Sequence, residues 1–151
     1  MTKETKRDDV SSLSKLGSNE TNYEYDKPCV EMLETFPNTR MGRGYTIELV
    51  FPEFTSLCPK TGQPDFARIE VTYVPRERCL ESKSVKLYFF AYRNDGSFME
   101  TITNRILDDF VRACDPQEMV VKGIFNARGG LFINVKAGYK SDQPLPEPPA
   151  M

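Results

Sequence analysis

The sequence has 151 residues, of which 39% are hydrophobic and 28% are charged, and its formal net charge is −2. These values are typical of one globular domain, and they exclude a global positive field that would attract nucleic acid. No run approaches the ~18 consecutive apolar residues of a membrane span, and the N-terminus lacks the apolar core of a signal peptide. We therefore expect a cytoplasmic protein that has no membrane contact and does not bind nucleic acid directly.

The chain has no histidine, and its four cysteines are Cys29, Cys58, Cys79 and Cys114. The absence of histidine excludes Ser-His-Asp and Cys-His catalysis and every histidine-ligated metal site. The cysteines are scattered without a CxxC pair, so we predict no metal site. A catalytic cysteine here would need activation by a helix N-terminus, by a nearby Lys or Arg, or by the substrate.

The chain divides into three predicted parts. Residues 1–21 are polar with mixed charge, which predicts a flexible N-terminal arm. Residues 22–139 form the predicted domain. Its first apolar residues, between 23 and 36, indicate an ordered lead-in that packs on another element, which can be a neighbouring subunit. Residues 140–151 contain four prolines and are predicted to be an extended, unpacked tail.

Two alternating segments, 45–51 and 66–75, predict an antiparallel pair of half-buried strands. The stretch between them, residues 53–65, contains two prolines and a glycine and is predicted to be a stiff loop rather than a central strand. This loop carries Cys58 and Asp65. Together they could be a nucleophile and a proton donor, or an ordinary structural cysteine beside a turn.

Two helices are predicted next. Residues 81–93 have an aromatic run with strand propensity, but Ser82 or Ser84 is a good N-cap and the apolar spacing favours a helix. Residues 98–114 have one apolar stripe that is typical of an amphipathic helix, and Cys114 lies on it as a predicted core residue.

The last predicted element is a β-hairpin. Residues 119–125 and 131–135 read as its two strands, joined by a tight turn at 126–130. The predicted order of the main elements is therefore ββααββ.

Three further groups could belong to a site with Cys58 and Asp65. In the string 81–86, two lysines three positions apart at a helix start suit a phosphate, or form a solvated helix start. The turn 128–130 can present backbone N–H groups beside a guanidinium, although most Gly-Gly turns are only turns. Glu100 could be a dipole-stabilising residue or a carboxylate that binds a guanine-like edge.

Four segments of the chain form a recognisable set. They are Ser-Leu-Cys-Pro-Lys-Thr-Gly-Gln-Pro-Asp (56–65), Glu-Ser-Lys-Ser-Val-Lys-Leu-Tyr (81–88), Phe-Met-Glu (98–100) and Ala-Arg-Gly-Gly (127–130). Together they resemble one known family, the NADPH-dependent 7-cyano-7-deazaguanine reductases of queuosine biosynthesis, in their single-module form. The resemblance covers residues 22–139 and implies an α+β tunnelling fold, with an antiparallel sheet that carries two helices on one face. It also implies an oligomeric barrel, a homodecamer of two stacked pentameric rings whose sites form between subunits.

The resemblance also implies roles for individual residues. Cys58 would attack the nitrile carbon to form a covalent thioimide, and Asp65 would protonate the nitrile nitrogen. NADPH would then reduce the adduct in two hydride steps to 7-aminomethyl-7-deazaguanine. The implied substrate-binding residues are Leu80, Glu81, Ser82, Met99 and Glu100, and the implied NADPH-binding residues are Ser82, Lys83, Lys86, Arg128 and Gly129.

One departure from the family concerns Met99, since the family usually has histidine before the glutamate. Methionine keeps the shape and a polarizable contact but offers no proton. Two alternatives to the reductase stay open. The first is a tunnelling-fold amidinotransferase that acts on cyano-deazaguanine in tRNA. The second is a purine-binding homologue with impaired catalysis, which Met99 alone supports.

Overall fold

The computed structural model describes residues 25–148. The predicted arm at 1–21 and the last three residues of the tail lie outside this part of the chain. A short 3-10 helix at Val30–Met32 precedes the main elements. These are β1 (Thr35–Pro37), β2 (Ile47–Leu57), β3 (Pro64–Val74), β4 (Arg78–Leu80), α1 (Ser82–Phe90), α2 (Met99–Cys114), β5 (Glu118–Phe125) and β6 (Asn134–Lys140).

The main sheet has four strands in the order β2-β3-β5-β6, and every neighbouring pair is antiparallel. Without the two shortest strands, the order along the chain is ββααββ, as predicted. Those two strands, β1 and β4, form a separate two-stranded sheet. Sequence analysis missed them because three residues are too few to show an alternating pattern.

Both helices pack on one face of the sheet and enclose the core. On β3, Ile69, Val71 and Tyr73 are at most 1% exposed and point towards the helices. The opposite face carries polar residues such as Arg68, which alternate with them as expected for a half-buried strand. Cys114 is fully buried, as predicted. No helix between residues 25 and 148 is long and apolar enough to cross a membrane.

A buried chain of hydroxyl groups joins the two helices. The Tyr88 hydroxyl on α1 donates a hydrogen bond of 2.7 Å to Asp109 Oδ2 on α2. The hydroxyls of Tyr88 and Tyr92 lie 2.9 Å apart. Burial raises the pKa of both tyrosines, so they remain neutral donors. The network therefore satisfies polar groups inside an aromatic core and fixes α1 against α2.

The expectation that residues 53–65 form a loop is wrong at both ends. Glu53–Leu57 belongs to β2, and Pro64 and Asp65 begin β3, so only residues 58–63 form the turn. Prolines are tolerated here because Pro52 lies at a register shift on an edge strand and Pro64 is the first residue of its strand. Neither position requires an N–H group for the strand pairing.

The predicted return strand at 131–135 is also wrong, because β6 begins at Asn134 and continues to Lys140. The glycine turn itself is confirmed. Gly129 and Gly130 have positive φ values of 57° and 82°, and the backbones of Arg128 and Leu131 exchange hydrogen bonds of 3.0 Å across them. The apolar residues after the turn suggested a strand, yet Leu131 and Phe132 are 64% and 71% exposed.

The tail is packed, contrary to expectation, because a buried arginine holds it. Arg76 is 7% exposed. Its guanidinium donates to Gln117 Oε1 at 2.8 Å, to Gln143 Oε1 at 3.1 Å and to the backbone carbonyl of Pro144. No carboxylate among residues 25–148 forms an ion pair with it, so the tail supplies much of its hydrogen bonding.

We predict that Arg76→Met lowers the free energy of unfolding by about 1.5–3 kcal/mol, the range for hydrogen bonds to a charged group. It should also speed proteolysis after residue 140. Urea denaturation and limited proteolysis measure the two effects. Arg112→Met, at an exposed position on α2, is the matched control and should change little. Equal stability losses in the two variants would contradict the role of Arg76.

Candidate functional site

A cavity of about 270 Å³ lies at the end of the sheet, beside the β2–β3 turn. Three parts of the chain form it: this turn, the first residues of α2, and the connection between β5 and β6. The structure therefore gathers site residues that are distant in sequence. Those predicted from sequence are Cys58, Asp65, Met99, Glu100 and Arg128.

Cys58 lies at the first position of a tight turn. Its N–H group donates to the Gln63 carbonyl at 2.9 Å, and its own carbonyl accepts from Gly62 N–H at 3.0 Å. Gly62 has φ +70°, a conformation that glycine adopts without strain. The thiol is partly exposed at the cavity, so a substrate can reach it.

The turn also activates the thiol. The pKa of Cys58 is lowered to about 7, chiefly because the Thr61 hydroxyl donates a hydrogen bond to the sulfur. Backbone N–H groups of Thr61 and Lys60 add to the effect, slight desolvation opposes it, and Arg128 contributes least. Hydrogen-bond donors that point at the sulfur stabilise the thiolate. The turn therefore lowers the pKa of the thiol, a role that histidine has in many other proteins.

Asp65 is only 5% exposed and faces the same cavity. Arg128 Nη1 lies 3.1 Å from Asp65 Oδ1, an ion-pair contact, but the angle is outside the range of a hydrogen bond and Oδ1 has no hydrogen-bond partner. Arg128 Nη2 donates to Gln63 Oε1 at 2.8 Å. Arg128, predicted as a cofactor ligand, therefore lies between the cysteine turn and the acid.

The segment before α2 holds the cavity together, although the sequence analysis assigned no role to these residues between the two predicted helices. Leu57 N–H donates to the Asp95 carbonyl at 3.0 Å, and Ser97 N–H donates to the Leu57 carbonyl at 3.2 Å. Arg105 on α2 completes the contact with an ion pair of 3.2 Å to Asp95. These bonds fix the start of α2 against the end of β2.

Met99 and Glu100 occupy the first turn of α2 and reach the cavity from that side. Met99 is 8% exposed, so its side chain forms part of the wall. Glu100 is exposed, and its carboxylate makes no hydrogen bond or ion pair within the described residues. An unpaired carboxylate at a cavity rim is available to accept hydrogen bonds from a ligand.

A second cavity, of about 400 Å³, lies between β2 and α1. Its lining includes Ser82 and Lys86 together with aromatic residues such as Phe89. The expectation that Ser82 or Ser84 caps α1 is wrong. Glu81 is the N-cap, and its carboxylate accepts from the N–H groups of residues 83 and 84 at 2.7 and 2.8 Å.

This cap has two consequences. Hydrogen bonding from these N–H groups lowers the pKa of Glu81. It also occupies the donors that a phosphate would use at the helix start, so anion binding there depends on side chains.

None of the predicted residues Leu80, Glu81, Ser82, Lys83 and Lys86 lines the Cys58 cavity. One chain therefore presents two separate halves of the predicted site.

Comparison with known proteins agrees with this architecture. A family model described as QueF-like protein matches residues 64–144. A protein of Chlorobaculum tepidum named NADPH-dependent 7-cyano-7-deazaguanine reductase is 55% identical over 113 residues, which is 75% of this chain and 97% of that protein. A protein of the same name from Thiobacillus denitrificans is 53% identical over 116 residues, 76% of this chain and 84% of that protein.

A solved structure of the archaeosine synthase QueF-Like in the apo form superposes with a TM-score of 0.60 at 21% identity, covering 65% of this chain and 96% of that one. At that identity the likeness concerns the fold alone. The predicted α+β tunnelling fold is confirmed. The chain belongs to the QueF-like family and groups with its NADPH-dependent 7-cyano-7-deazaguanine reductases.

The thiol activation can be tested without a substrate. Because the pKa of Cys58 is about 7, about half of the thiol is ionised at neutral pH, and iodoacetamide should alkylate it with a midpoint near pH 7. Thr61→Val should move this midpoint upwards and slow alkylation at pH 7 several-fold, whereas Thr61→Ser keeps the donor. The Cys29→Ala background removes the other exposed thiol. An unchanged midpoint in Thr61→Val would show that the hydroxyl does not stabilise the thiolate.

Proposed function

We propose that this protein reduces the nitrile of 7-cyano-7-deazaguanine to the aminomethyl group, with NADPH as the reductant, as a step of queuosine biosynthesis. The observation that carries the proposal is a thiol of lowered pKa and a buried carboxyl group in one cavity. The names of relatives more than half identical to this chain support it. The free state of the described cysteines fits the cytoplasm, where thiols stay reduced and where we place the reaction.

Cys58 supplies the nucleophile. A nitrile carbon is a weak electrophile, so covalent addition needs both a thiolate and a proton for the nitrogen. The sulfur of Cys58 forms a bond to the nitrile carbon, and one π-electron pair moves to the nitrogen. That nitrogen takes the proton of Asp65, which leaves a neutral thioimide and an Asp65 carboxylate. Arg128, in ion-pair contact with Asp65, stabilises the carboxylate formed in this step.

NADPH, when bound, supplies hydride. Complete reduction of the nitrile to the aminomethyl group requires two NADPH and two protons, and the thiolate of Cys58 is released between the two reductions. Asp65 lines the same cavity as the thiol, and it regains its proton from solvent for the next turnover. Cys58 thus acts only as a temporary covalent link.

The first turn of α2 recognises the base. Glu100 has a carboxylate without a partner at the cavity rim, suited to two parallel N–H donors of a guanine-like edge. Met99 provides an apolar, polarizable wall but no hydrogen bond, so orientation of the base depends on Glu100. Leu80, Glu81 and Ser82 would complete the pocket from a neighbouring copy.

The residues around the cavity beside α1 have the chemistry that binds a dinucleotide. Ser82, Lys83 and Lys86 place a hydroxyl and two cations at the helix start, as anionic phosphates require, and Phe89 offers an apolar surface for a ring. Lys86 Nζ lies 5.6 Å from the ring centroid of Phe90, which positions its charge over the cavity wall. Arg128 and Gly129 would contact the same cofactor from the neighbouring chain.

Self-association would bring these two halves together. Within the described residues, the outer edges of β2 and β6 have no strand partner, and edges of this kind can pair between copies. Phe98, Leu131 and Phe132 are 64%, 64% and 71% exposed near the cavity, as expected for residues that a neighbour covers. A closed barrel of such sheets, as two stacked pentamers, is the assembly we propose.

The reaction itself is the first test. When the cyano-deazaguanine is added, the protein should oxidise two equivalents of NADPH per substrate. The loss of NADPH absorbance measures this oxidation. Cys58→Ala should abolish turnover and the adduct seen by intact-protein mass spectrometry. Asp65→Asn should lower kcat by about 10²- to 10⁴-fold, the usual contribution of a general acid.

Cys29→Ala, at the other exposed thiol, is the control and should behave as the wild type. Absence of NADPH oxidation at saturating substrate would refute the reductase proposal. In that case, binding without turnover would favour the impaired purine-binding homologue, and transfer to tRNA would favour the amidinotransferase.

Sharing of the site between chains predicts complementation. Cys58→Ala and Lys86→Ala should each be nearly inactive alone, because each lacks one half of every site. In a co-expressed mixture, about one interface in four would combine an intact Cys58 with an intact Lys86 from its neighbour, so activity should return to about a quarter. Lys122→Ala, at an exposed lysine of β5, is the control partner. No recovery in mixtures shown to co-assemble would place both halves in one chain.

A further inference from the structure

A buried serine lies behind the acid of the site. Ser56 is fully buried, and its hydroxyl has no hydrogen-bond partner. In the pairing of β2 with β3, Ser56 is directly opposite Asp65. Asp65 Oδ1 is also buried without a hydrogen bond. Two unsatisfied polar atoms therefore belong to residues that face each other across one strand pair.

The strand geometry places these groups on one face. Directly paired residues of two antiparallel strands point to the same face of the sheet, so Ser56 shares its face with Asp65. Directly opposite residues of an antiparallel pair have Cβ atoms about 4.5–5.5 Å apart, which is within reach of a serine hydroxyl and a carboxyl oxygen. Rotation about the Ser56 side-chain bond can bring its hydroxyl to Asp65 Oδ1 without moving the backbone.

Energetics favour this contact. A buried hydroxyl or carboxyl oxygen without a hydrogen bond destabilises the folded protein, so pairing the two removes both penalties. Arg128 does not satisfy Oδ1, because its Nη1 approaches at 3.1 Å outside hydrogen-bond geometry. Ser56 itself does not line the cavity and cannot touch a substrate there.

We propose that Ser56 is a positioning residue for the proton donor Asp65. The inference rests on the proposed function and assigns this hydroxyl a role in it. When Ser56 donates to the buried Oδ1, that oxygen becomes the less basic of the two. The proton of the acid then resides on Oδ2, the oxygen left to face the cavity, where the nitrile nitrogen needs it.

The rate of covalent adduct formation tests the role of Ser56 separately from hydride transfer. The nitrile substrate is mixed with the protein without NADPH, and adduct is followed by intact-protein mass spectrometry. This addition needs both the thiolate and the acid, whereas iodoacetamide alkylation of Cys58 needs the thiolate alone. Ser56→Ala should slow nitrile addition about 10- to 100-fold, as expected for a misplaced catalytic group. Its iodoacetamide rate should stay within about twofold of the wild type.

Two further variants separate positioning from packing. Ser56→Thr keeps the hydroxyl and should recover most of the nitrile addition rate. Thr72→Val removes a hydroxyl from the outward face of β3 and should leave both rates unchanged. The melting temperature of Ser56→Ala should fall, because Asp65 Oδ1 loses its hydrogen-bond donor, and Ser56→Thr should restore it.

The outcomes distinguish the two proposals. A wild-type nitrile rate in Ser56→Ala, or equal slowing of nitrile and iodoacetamide reactions, would overturn the positioning role while the reductase stands. If the wild-type protein forms no adduct with the nitrile, the proposed function fails, and the role of Ser56 fails with it.

Discussion

The pairing of β2 with β3 is the constraint on which the site depends. Its register places Ser56 opposite Asp65, and the short turn that follows presents Cys58 at the cavity that Asp65 also lines. A slip of one residue would turn one of these side chains to the other face of the sheet. The register shift near Pro52 absorbs a proline in β2 without disturbing the pairing beside the site.

Charge within the cavity is organised around one cation. Arg128 comes from the connection between β5 and β6, yet it contacts Asp65 and donates to Gln63 of the cysteine turn. In the proposed reaction, proton transfer to the nitrile leaves a carboxylate at Asp65, and the guanidinium in contact with it stabilises that charge. The turn donors at Thr61 and Lys60 supply the remaining stabilisation of the sulfur. A protein without histidine thus obtains a reactive thiol from hydrogen-bond geometry.

The two separate cavities explain why this fold would function as an assembly. The Cys58 cavity holds the thiol that we propose as the nucleophile and residues of α2, whereas the α1 cavity holds Lys86, whose charge suits a phosphate. Glu81 occupies the N–H groups at the start of α1, which leaves recognition of anions to side chains. Neither cavity alone holds all the groups that nitrile reduction requires.

The sequence by itself determined the element order and the helix at 98–114, because periodicity is a local property. It also predicted Cys58, Asp65 and Glu100 as site residues from short motifs, and the structure places all three at one cavity. The prediction failed where contacts between distant residues decide the structure, because β6 starts later than predicted and Arg76 holds the tail. It also failed at one local contact, since Glu81 and not a serine caps α1. Only the tertiary structure placed Arg128 beside Asp65 and left the Ser56 hydroxyl buried opposite the acid. Strand register and burial depend on residues far apart in the chain, so no local pattern records them.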